Sequence, residues 1–322
     1  MTRAHLAISN LNGPPSWRPL NNSHSTAVFL SHAKPILEFT MKHTLLSMTY
    51  LLCFTLSAVG SHAASPAKRI VSLGGGVTET LFALGVGDQI VATDVSSLYP
   101  EQSTKLPKVG YIRATSAEGI ASMKPDLVIA SDALGPPTVK EQLKSSGIQL
   151  QLVPEAKSID AAAKRIRALG AIVGKQKEAE SLAKAVETIA AQPNPKGKAP
   201  RVLFLFGHGG TSLMAAGGKT GAATMIKAAG GENAVSGYDG YRPLTAESVL
   251  AAKPDIILVT HRSLGAVKGE AGLWKTPGVA LTPAGKNKRL VIMDDLKLLG
   301  FGPRTGTALE ELRQAFFAPQ KK

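Results

Sequence analysis

Residues 116–130, SAEGIASMKPDLVIA, are echoed further along the chain by residues 245–259, TAESVLAAKPDIILV. In both stretches a Ser or Thr precedes Ala-Glu, a short helix-like run follows, and Lys-Pro-Asp leads into an apolar strand. The glutamates of the two stretches, Glu118 and Glu247, are 129 positions apart. The strands RIVSLGGG and RVLFLFGHGG begin at Arg69 and Arg201, which are 132 positions apart. Similar offsets for two separate landmarks predict a duplicated lobe.

Short apolar strands alternate with helix-like runs in each half of the chain. The first half has apolar runs at 70–73, 90–93, 127–130 and 149–153, with a Gly-rich turn and helical segments between them. Such alternation predicts an α/β fold of two Rossmann-like lobes with parallel sheets. We place the N-terminal lobe at residues 64–157 and the C-terminal lobe at 193–322, which are ordinary lobe sizes.

A connector is predicted between the lobes at residues 158–192. Its apolar residues recur close to every 3.6 positions, Ser158 can cap its start, and Pro193 can close it. Gly170 and Gly174 weaken its middle, but no proline interrupts it. We therefore predict a single stiff helix, which at about 1.5 Å per residue would reach roughly 50 Å.

The first 63 residues have the character of leader sequence. Residues 1–40 are polar and lack periodicity, and we interpret them as a mis-assigned start or an extension. From Met41 the chain has a basic start, an apolar core and small residues near Ala63, which is typical of a secretory signal. The single cysteine, Cys53, lies in that core and follows two leucines, which argues against a lipoprotein. We expect cleavage near Ala63, export to the periplasm and no membrane span.

The chain is strongly basic, with a formal net charge of +14. Removing residues 1–63 lowers this charge to about +11, which favours acidic partners in general. The lysines are scattered and aromatic residues are few, so nucleic acid is not expected as a partner. An anionic small molecule fits the sign of the charge, although a basic protein without such a ligand fits it as well.

Tyr111 is the first candidate site residue. It lies two positions before Arg113, in a segment that Pro107 and Gly110 mark as a loop. A guanidinium close to a phenol favours the phenolate, and tyrosine is a known axial ligand of haem iron. The competing interpretation is a half-buried loop tyrosine with a solvated arginine. Tyr99 is a weaker candidate because it precedes Pro100 and lacks a neighbouring arginine.

Each lobe's first strand ends in a glycine-rich loop, at 74–76 and at 207–210. Ligands bind beyond the carboxyl ends of strands in open α/β sheets, so these loops should face a shared cleft. Neither loop matches a nucleotide-binding pattern. His208 lies in the second loop, and the only other histidine after residue 63 is His261, which we interpret as a surface residue.

The combination of VSLGGGVTETLFALG, LPKVGYIR, FGHGG, GYRPLTAE and LLGFGPRT resembles the haem-binding periplasmic proteins of bacterial haem ABC importers. The resemblance runs from about Arg69 to the C-terminus. It implies the helical-backbone periplasmic binding protein fold, haem as a carried ligand held between the lobes, and a monomer without enzymatic activity. It also implies that the protein hands haem to an ABC permease dimer in the inner membrane.

The resemblance assigns roles to individual residues. Tyr111 corresponds to the iron ligand, His208 to a second ligand, and Arg113 to the arginine that supports the tyrosine. Glu118 and Glu247 correspond to the glutamates that dock on the permease. The remaining pocket residues expected on the same basis, or from their positions in neighbouring loops, are Gly74, Gly75, Gly209, Tyr241, Arg242 and Arg262.

Two other function classes remain open from the residues. The same scaffold could carry a ferric siderophore or a cobalamin; the Tyr-x-Arg motif with His208 favours haem, and Trp274 is the only tryptophan after residue 63. An α/β enzyme acting in the cleft is disfavoured because the sequence offers no nucleophile–base pair, carboxylate dyad or cluster of histidines.

Overall fold

The computed structural model describes residues 69–207 and 213–319. The predicted extension at 1–40 and the predicted signal at 41–63, with Cys53 and the cleavage position, lie outside the described residues. The described residues form one compact unit. Within the described ranges, no helix is both long enough and apolar enough to span a bilayer.

The described part of the chain contains twelve strands, thirteen α-helices and two short 3-10 helices, Gly87–Gln89 and Val279–Leu281. The strands are β1 Ile70–Leu73, β2 Ile90–Thr93, β3 Gly110–Tyr111, β4 Ala114–Thr115, β5 Leu127–Ser131, β6 Gln149–Val153, β7 Arg201–Phe206, β8 Met214–Ala216, β9 Glu232–Asn233, β10 Tyr241–Pro243, β11 Ile256–Thr260 and β12 Leu290–Met293. The helices are α1 Gly75–Ala83, α2 Glu101–Thr104, α3 Ala117–Ala121, α4 Pro137–Ser145, α5 Ile159–Val173, α6 Gln176–Ala191, α7 Gly221–Ala228, α8 Ala246–Ala252, α9 His261–Ala266, α10 Glu270–Lys275, α11 Pro283–Lys286, α12 Asp295–Leu299 and α13 Thr305–Phe317.

The N-terminal lobe contains a four-stranded sheet in the order β2-β1-β5-β6. All three neighbouring pairs are parallel. The central strands β1 and β5 are buried along their whole length, as expected of a sheet covered on both faces. The predicted strands and their parallel arrangement are confirmed in this lobe.

The C-terminal lobe differs from the prediction because its sheet is mixed. Strands β7, β11 and β12 are parallel, whereas β8 pairs antiparallel with both β7 and β10. The physical reason is the short connection at 207–213 between β7 and β8. A parallel pair needs a crossover of roughly a dozen residues or more, so this connection can only return the chain antiparallel.

The repeated motif has the same local structure in both lobes. The Ser116 hydroxyl accepts a hydrogen bond from the Gly119 backbone N–H at 3.0 Å and caps α3. In the same way the Thr245 hydroxyl accepts from the Ser248 N–H at 3.1 Å and caps α8. Capping residues of this kind satisfy backbone donors that a helix start leaves unpaired.

The aspartates of the two Lys-Pro-Asp segments also act alike. The Asp126 carboxylate accepts a hydrogen bond from the Arg69 backbone N–H at 2.8 Å, and Asp255 accepts one from the Arg201 N–H at 2.9 Å. Each aspartate therefore fixes the start of its lobe's first strand beside the next strand. The equivalence of these contacts supports the duplicated lobe inferred from the sequence.

The predicted single connecting helix is wrong, because the connector is a hairpin of two helices. Helix α5 ends at Gly174, which adopts a left-handed conformation with φ 71°, and α6 begins at Gln176. The helices pack side by side, and the Arg167 guanidinium on α5 bonds both Glu180 and Glu187 on α6. Glycine tolerates positive φ without strain, so Gly174 ends the helix. Each helix is therefore only about 24 Å long.

The hairpin joins the cores of both lobes. On α5, Ala162 packs in the hydrophobic core of the C-terminal lobe, whereas Ile166 and Leu169 pack in that of the N-terminal lobe. The end of α6 is held by Arg313 of α13, whose Nη1 donates to the Ile189 carbonyl at 2.7 Å. The connector is thus part of both cores and not a free spacer.

Close packing of the two connector helices predicts an unusual response to an alanine substitution. A Cβ at Gly170 would lie 2.2 Å from the Ala179 Cβ and 2.9 Å from the Lys175 carbonyl oxygen. We expect Gly170→Ala to lower the free energy of unfolding by about 1–3 kcal/mol, because overpacking outweighs the gain in helix propensity. Urea denaturation measures this change.

Gly265 provides the matched control because a Cβ there, in helix α9, would meet no atom within 4 Å. Gly265→Ala should raise the free energy of unfolding by roughly 0.5–1 kcal/mol, since alanine loses less conformational freedom than glycine. Stabilisation by both substitutions would contradict the tight packing of α5 on α6.

Candidate functional site

A cleft of about 870 Å³ lies between the two lobes and is lined by residues of both. Its walls include the loop after β1, Ser131 at the end of β5, Phe206 at the end of β7 and Arg262 just after β11. These positions are the carboxyl ends of parallel strands, where open α/β sheets bind their ligands. The volume falls in the usual range of sites for small molecules and cofactors.

The predicted glycines Gly74 and Gly75 line this cleft. A buried carboxylate holds their loop: Asp94 accepts hydrogen bonds from the Gly74 backbone N–H at 2.9 Å and from the Ser97 hydroxyl at 2.7 Å. Its other oxygen accepts from the Ser96 backbone N–H at 3.0 Å. Asp94 therefore ties together two neighbouring loops that line the cleft, which makes this wall rigid.

Tyr111 lies on a small hairpin that faces the cleft. Strands β3 and β4 pair antiparallel with Tyr111 opposite Ala114, so that Ile112 and Arg113 form the turn. Ile112 is buried in the core of the N-terminal lobe and anchors the turn, whereas the Tyr111 side chain is 47% exposed and lines the cleft. Among the described residues, the Tyr111 hydroxyl has no hydrogen-bond partner.

Arg113 lines the cleft too, but its partner is a carboxylate and not the tyrosine. Its Nη2 donates to Glu155 Oε1 at 2.5 Å, and Lys157 lies 3.6 Å from the other oxygen of the same carboxylate. All three residues line the cleft. This pair could not be predicted from local sequence patterns, because Arg113 and Glu155 are 42 positions apart in the chain.

The opposite wall is formed in part by strand β10. Tyr241 lines the cleft and packs its ring against Phe206, with ring centroids 5.6 Å apart. Burial raises the pKa of the Tyr241 phenol above its ordinary value, so this phenol resists ionisation. Arg242 is not among the cleft-lining residues: its guanidinium lies 4.5 Å over the Tyr238 ring. Successive strand residues face opposite ways, which corrects the expectation that both residues line the pocket.

Positive charge predominates on the walls of the cleft. In the part of the chain that the structure describes, five basic and two acidic side chains line it. The basic residues are Arg113, Lys157, Arg165, Lys219 and Arg262, and the acidic ones are Glu155 and Asp295. Exposed apolar side chains, Val95 and Leu98 among them, provide the rest of the surface. Such a cleft suits a ligand that is largely apolar and carries negative charge.

Two charged groups at the floor of the cleft and behind it were missed from the sequence. Arg165 of α5 is only 4% exposed and lines the cleft. Glu79 of α1 is 2% exposed and accepts hydrogen bonds from the Arg304 guanidinium at 3.0 and 2.9 Å, across the two lobes. Each is a charged residue in a helical segment with buried residues at neighbouring positions. In the sequence alone, such a residue looks the same as an ordinary surface charge.

The remaining predicted residues fall in different places. Glu118 and Glu247 are both exposed, at equivalent positions in the first turns of α3 and α8. His208 and Gly209 lie outside the described residues. Tyr99 is not among the lining residues, and the Arg304 guanidinium lies 3.6 Å over its ring. Among described residues, no three His, Cys, Asp or Glu side chains cluster as metal ligands.

Comparisons with known proteins place the chain among transport proteins. The profile of a family described as "Periplasmic binding protein" matches residues 70–296. An uncharacterised ABC transporter substrate-binding lipoprotein of Bacillus subtilis is 28% identical over 257 residues, covering 78% of this chain and 80% of its own. A vitamin B12-binding protein of Vibrio vulnificus is 28% identical over 284 residues, covering 88% of this chain and 100% of its own.

Solved structures of haem-binding proteins are similar over most of the chain. A periplasmic haem-binding protein of Roseiflexus in its apo form has a TM-score of 0.74 and 42% identity, covering 78% of this chain and 98% of its own. A periplasmic haem-binding protein in complex with two haems has a TM-score of 0.71 and 39% identity, with 77% and 97% covered. A haem-binding protein of Vibrio cholerae has a TM-score of 0.69 and 35% identity, with 78% and 99% covered.

Proposed function

This chain belongs to the periplasmic binding protein family, and we propose that it carries haem in the cleft between its lobes and delivers it to an ABC importer. Proteins of this family and the structural neighbours above are binding components of transport systems, so the chain is not an enzyme. The proposed site of action is the periplasm. The proposed partner is the importer's permease dimer in the inner membrane, which the protein would meet as a monomer.

The observation that carries the proposal is the state of Tyr111. Its phenol is half exposed on the cleft wall, and the described residues leave its hydroxyl without a hydrogen bond. An oxygen in this position is available to an incoming metal, and tyrosine oxygen is a known axial ligand of ferric haem. Tyr241 is the poorer candidate, since burial raises the pKa of its phenol.

Further support comes from the match between the cleft and the porphyrin. Haem is flat and apolar, with two carboxylates at one edge, and the cleft combines apolar walls with an excess of basic side chains. We also propose His208 as a second iron ligand. It follows β7 closely, and the last residue of that strand, Phe206, lines the cleft. Arg113, Gly74, Gly75, Gly209, Tyr241 and Arg262 complete the proposed haem site.

Cobalamin is the second candidate because several curated relatives are named vitamin B12-binding proteins. Cobalamin carries neutral amide side chains where haem has carboxylates, so it would not balance the net positive charge of the side chains that line the cleft. Ferric catecholate siderophores share the negative charge but provide their own iron ligands, and would leave Tyr111 without a role. The cleft therefore favours haem.

A titration of the protein expressed from the full chain tests the proposal. Ferric haem, cyanocobalamin and a ferric catecholate siderophore are added separately, and binding is followed by absorption spectra and calorimetry. We expect haem alone to bind tightly, with a ferric spectrum typical of tyrosine ligation. Tight binding of cobalamin or of the siderophore without binding of haem would overturn the proposed function.

Glu118 and Glu247 are proposed as the docking residues for the permease. Both are exposed, and the duplicated lobes present them in equivalent positions at the starts of α3 and α8. A carboxylate in the first turn of a helix also interacts favourably with the helix dipole, which is a purely structural role. Exposed charges at an interface mainly guide encounter and register.

Reversing both docking charges should separate transport from binding. We expect Glu118→Lys with Glu247→Lys to bind haem as the wild type does, but to slow haem uptake by reconstituted transporter roughly tenfold or more, through lost steering. Glu178→Lys on α6 is the control, because Glu178 is exposed and lies on the connector, away from the two helices that carry the pair. Normal uptake by the double variant would rule out docking through this pair.

A further inference from the structure

Arg165 is a buried cation at the floor of the cleft. Helix α5 carries it on the same face as the buried residues Ala162 and Ile166, and only 4% of its surface is exposed. It nevertheless lines the cleft. A buried charge destabilises the fold unless it is paired and hydrogen-bonded. The stability of this arrangement therefore depends on which groups contact the guanidinium.

The hydrogen bonds of Arg165 use only part of its guanidinium. Nη2 donates to the Gly300 carbonyl at 2.6 Å and to the Phe301 carbonyl at 2.9 Å. Nε is buried and has no hydrogen-bond partner. The described residues offer none to Nη1 either. An unsatisfied buried donor costs about 1–3 kcal/mol, and more when it is charged.

Four other basic residues at the cleft or behind it differ from Arg165 because each lies within 4.0 Å of a carboxylate. Arg113 and Lys157 contact Glu155, Lys219 contacts Asp239, and Arg304 contacts Glu79. Among the described residues, no carboxylate lies within 4.0 Å of the Arg165 guanidinium. Burial lowers the pKa of Arg165 to about 10, against the more distant charges of Glu155, Glu79 and Asp132.

The surrounding backbone is shaped to admit this guanidinium. A Cβ at Gly76 would lie 2.3 Å from Arg165 Nη2 and 2.2 Å from the Gly300 carbonyl oxygen. Only glycine at position 76 therefore lets the guanidinium lie between α1 and the loop after α12. The cation is held in a built recess and is not a mobile surface side chain.

We propose that Arg165 is an anion-recognition residue that binds a carboxylate of the ligand at the floor of the cleft. The inference rests on the proposed function, in which the ligand is a porphyrin dicarboxylate. A ligand carboxylate supplies the missing counter-charge and an acceptor for Nη1, while Nη2 keeps its two carbonyl partners. Recognition at this point orients the acidic edge of the porphyrin toward α5.

The competing explanation is that Arg165 only braces the connector against the Gly300 and Phe301 carbonyls. A brace would affect all ligands alike, whereas carboxylate recognition depends on the charge of the ligand. The test therefore compares ferric haem with its dimethyl ester, in which both carboxylates are neutral. Binding of each porphyrin to the wild type, Arg165→Met and Arg165→Lys is measured by absorption titration.

We expect Arg165→Met to weaken haem binding roughly 10- to 100-fold, the usual loss for a hydrogen bond to a charged group. Its binding of the diester should weaken by a clearly smaller factor, since the ester carries no negative charge to attract the guanidinium. Arg165→Lys should recover part of the haem affinity, because the charge is kept without the planar donors. Circular dichroism and thermal unfolding establish that the variants are folded.

Arg167→Met is the matched control on the same helix. Its guanidinium bonds Glu180 and Glu187 on the connector and does not line the cleft. We expect it to lower stability without changing the ratio of haem to diester affinity. Equal losses of both porphyrins in Arg165→Met would reject the inference and leave Arg165 as a brace. Failure of the wild type to bind haem would instead reject the proposed function, and the inference with it.

Discussion

Replacing Tyr111 with phenylalanine is expected to weaken ferric haem binding at least about 100-fold, since the loss of a mere supporting residue around a metal already costs 10- to 100-fold. The substitution removes only the hydroxyl, so the ring remains on the cleft wall beside the buried anchor Ile112. The ferric spectrum should lose its tyrosinate features. Absorption titrations of the wild type and the variant with ferric haem, at the same protein concentration, measure the affinity and the spectrum.

Tyr241→Phe is the matched control for that variant. Tyr241 lines the opposite side of the same cleft, and burial raises the pKa of its phenol. We expect its loss to change haem affinity less than about 5-fold, because a neutral phenol contributes an ordinary hydrogen bond at most. If Tyr241→Phe abolished the spectrum while Tyr111→Phe retained it, the iron ligand would be on strand β10.

Replacing Glu79 with glutamine is expected to lower the free energy of unfolding by about 3 kcal/mol, near the low end for breaking a buried ion pair. Glu79 is 2% exposed, and its carboxylate accepts hydrogen bonds from both Nε and Nη2 of Arg304. The loss stays near the low end because the Arg304 side chain is 21% exposed and lies 3.3 Å from Asp294. Urea denaturation followed by circular dichroism measures the change.

The exposed pair of Glu101 and Lys105 is the reference for that measurement. Lys105 Nζ lies 2.8 Å from Glu101 Oε1, four positions earlier in the chain, and both side chains are more than 70% exposed. Glu101→Gln should change stability by less than about 0.5 kcal/mol, since solvent screens such pairs. A loss of similar size for Glu79→Gln would show that the buried pair stabilises the fold no more than a surface pair.

Helices and strands could be predicted from the sequence where interactions between residues close in the chain determine them. The strands of the N-terminal lobe follow from short apolar runs, and the caps Ser116 and Thr245 follow from hydroxyl residues placed before helical runs. The connector was missed because its apolar spacing continues through Gly174. A single glycine in such a pattern does not reveal whether the chain stays straight or turns back.

The cleft could be predicted only in part. Tyr111, Gly74 and Gly75 were identified because motif and strand-end position both point to the site. The Arg113–Glu155 pair was not, because it joins residues 42 positions apart that no local pattern connects. The orientation of Arg242 depends on the register of β10 beside β8, which the sequence does not determine.

The doubled connector has a mechanical consequence. Two helices that are joined along their length bend less readily than two separate helices. Bending requires their contacting surfaces to slide past each other, and the contacts between them oppose this sliding. The Arg167 contacts to Glu180 and Glu187 resist that sliding, as does the tight seat of Gly170 against Ala179. The two-helix connector therefore resists bending. The free energy needed to separate the two lobes must come from an external binding partner.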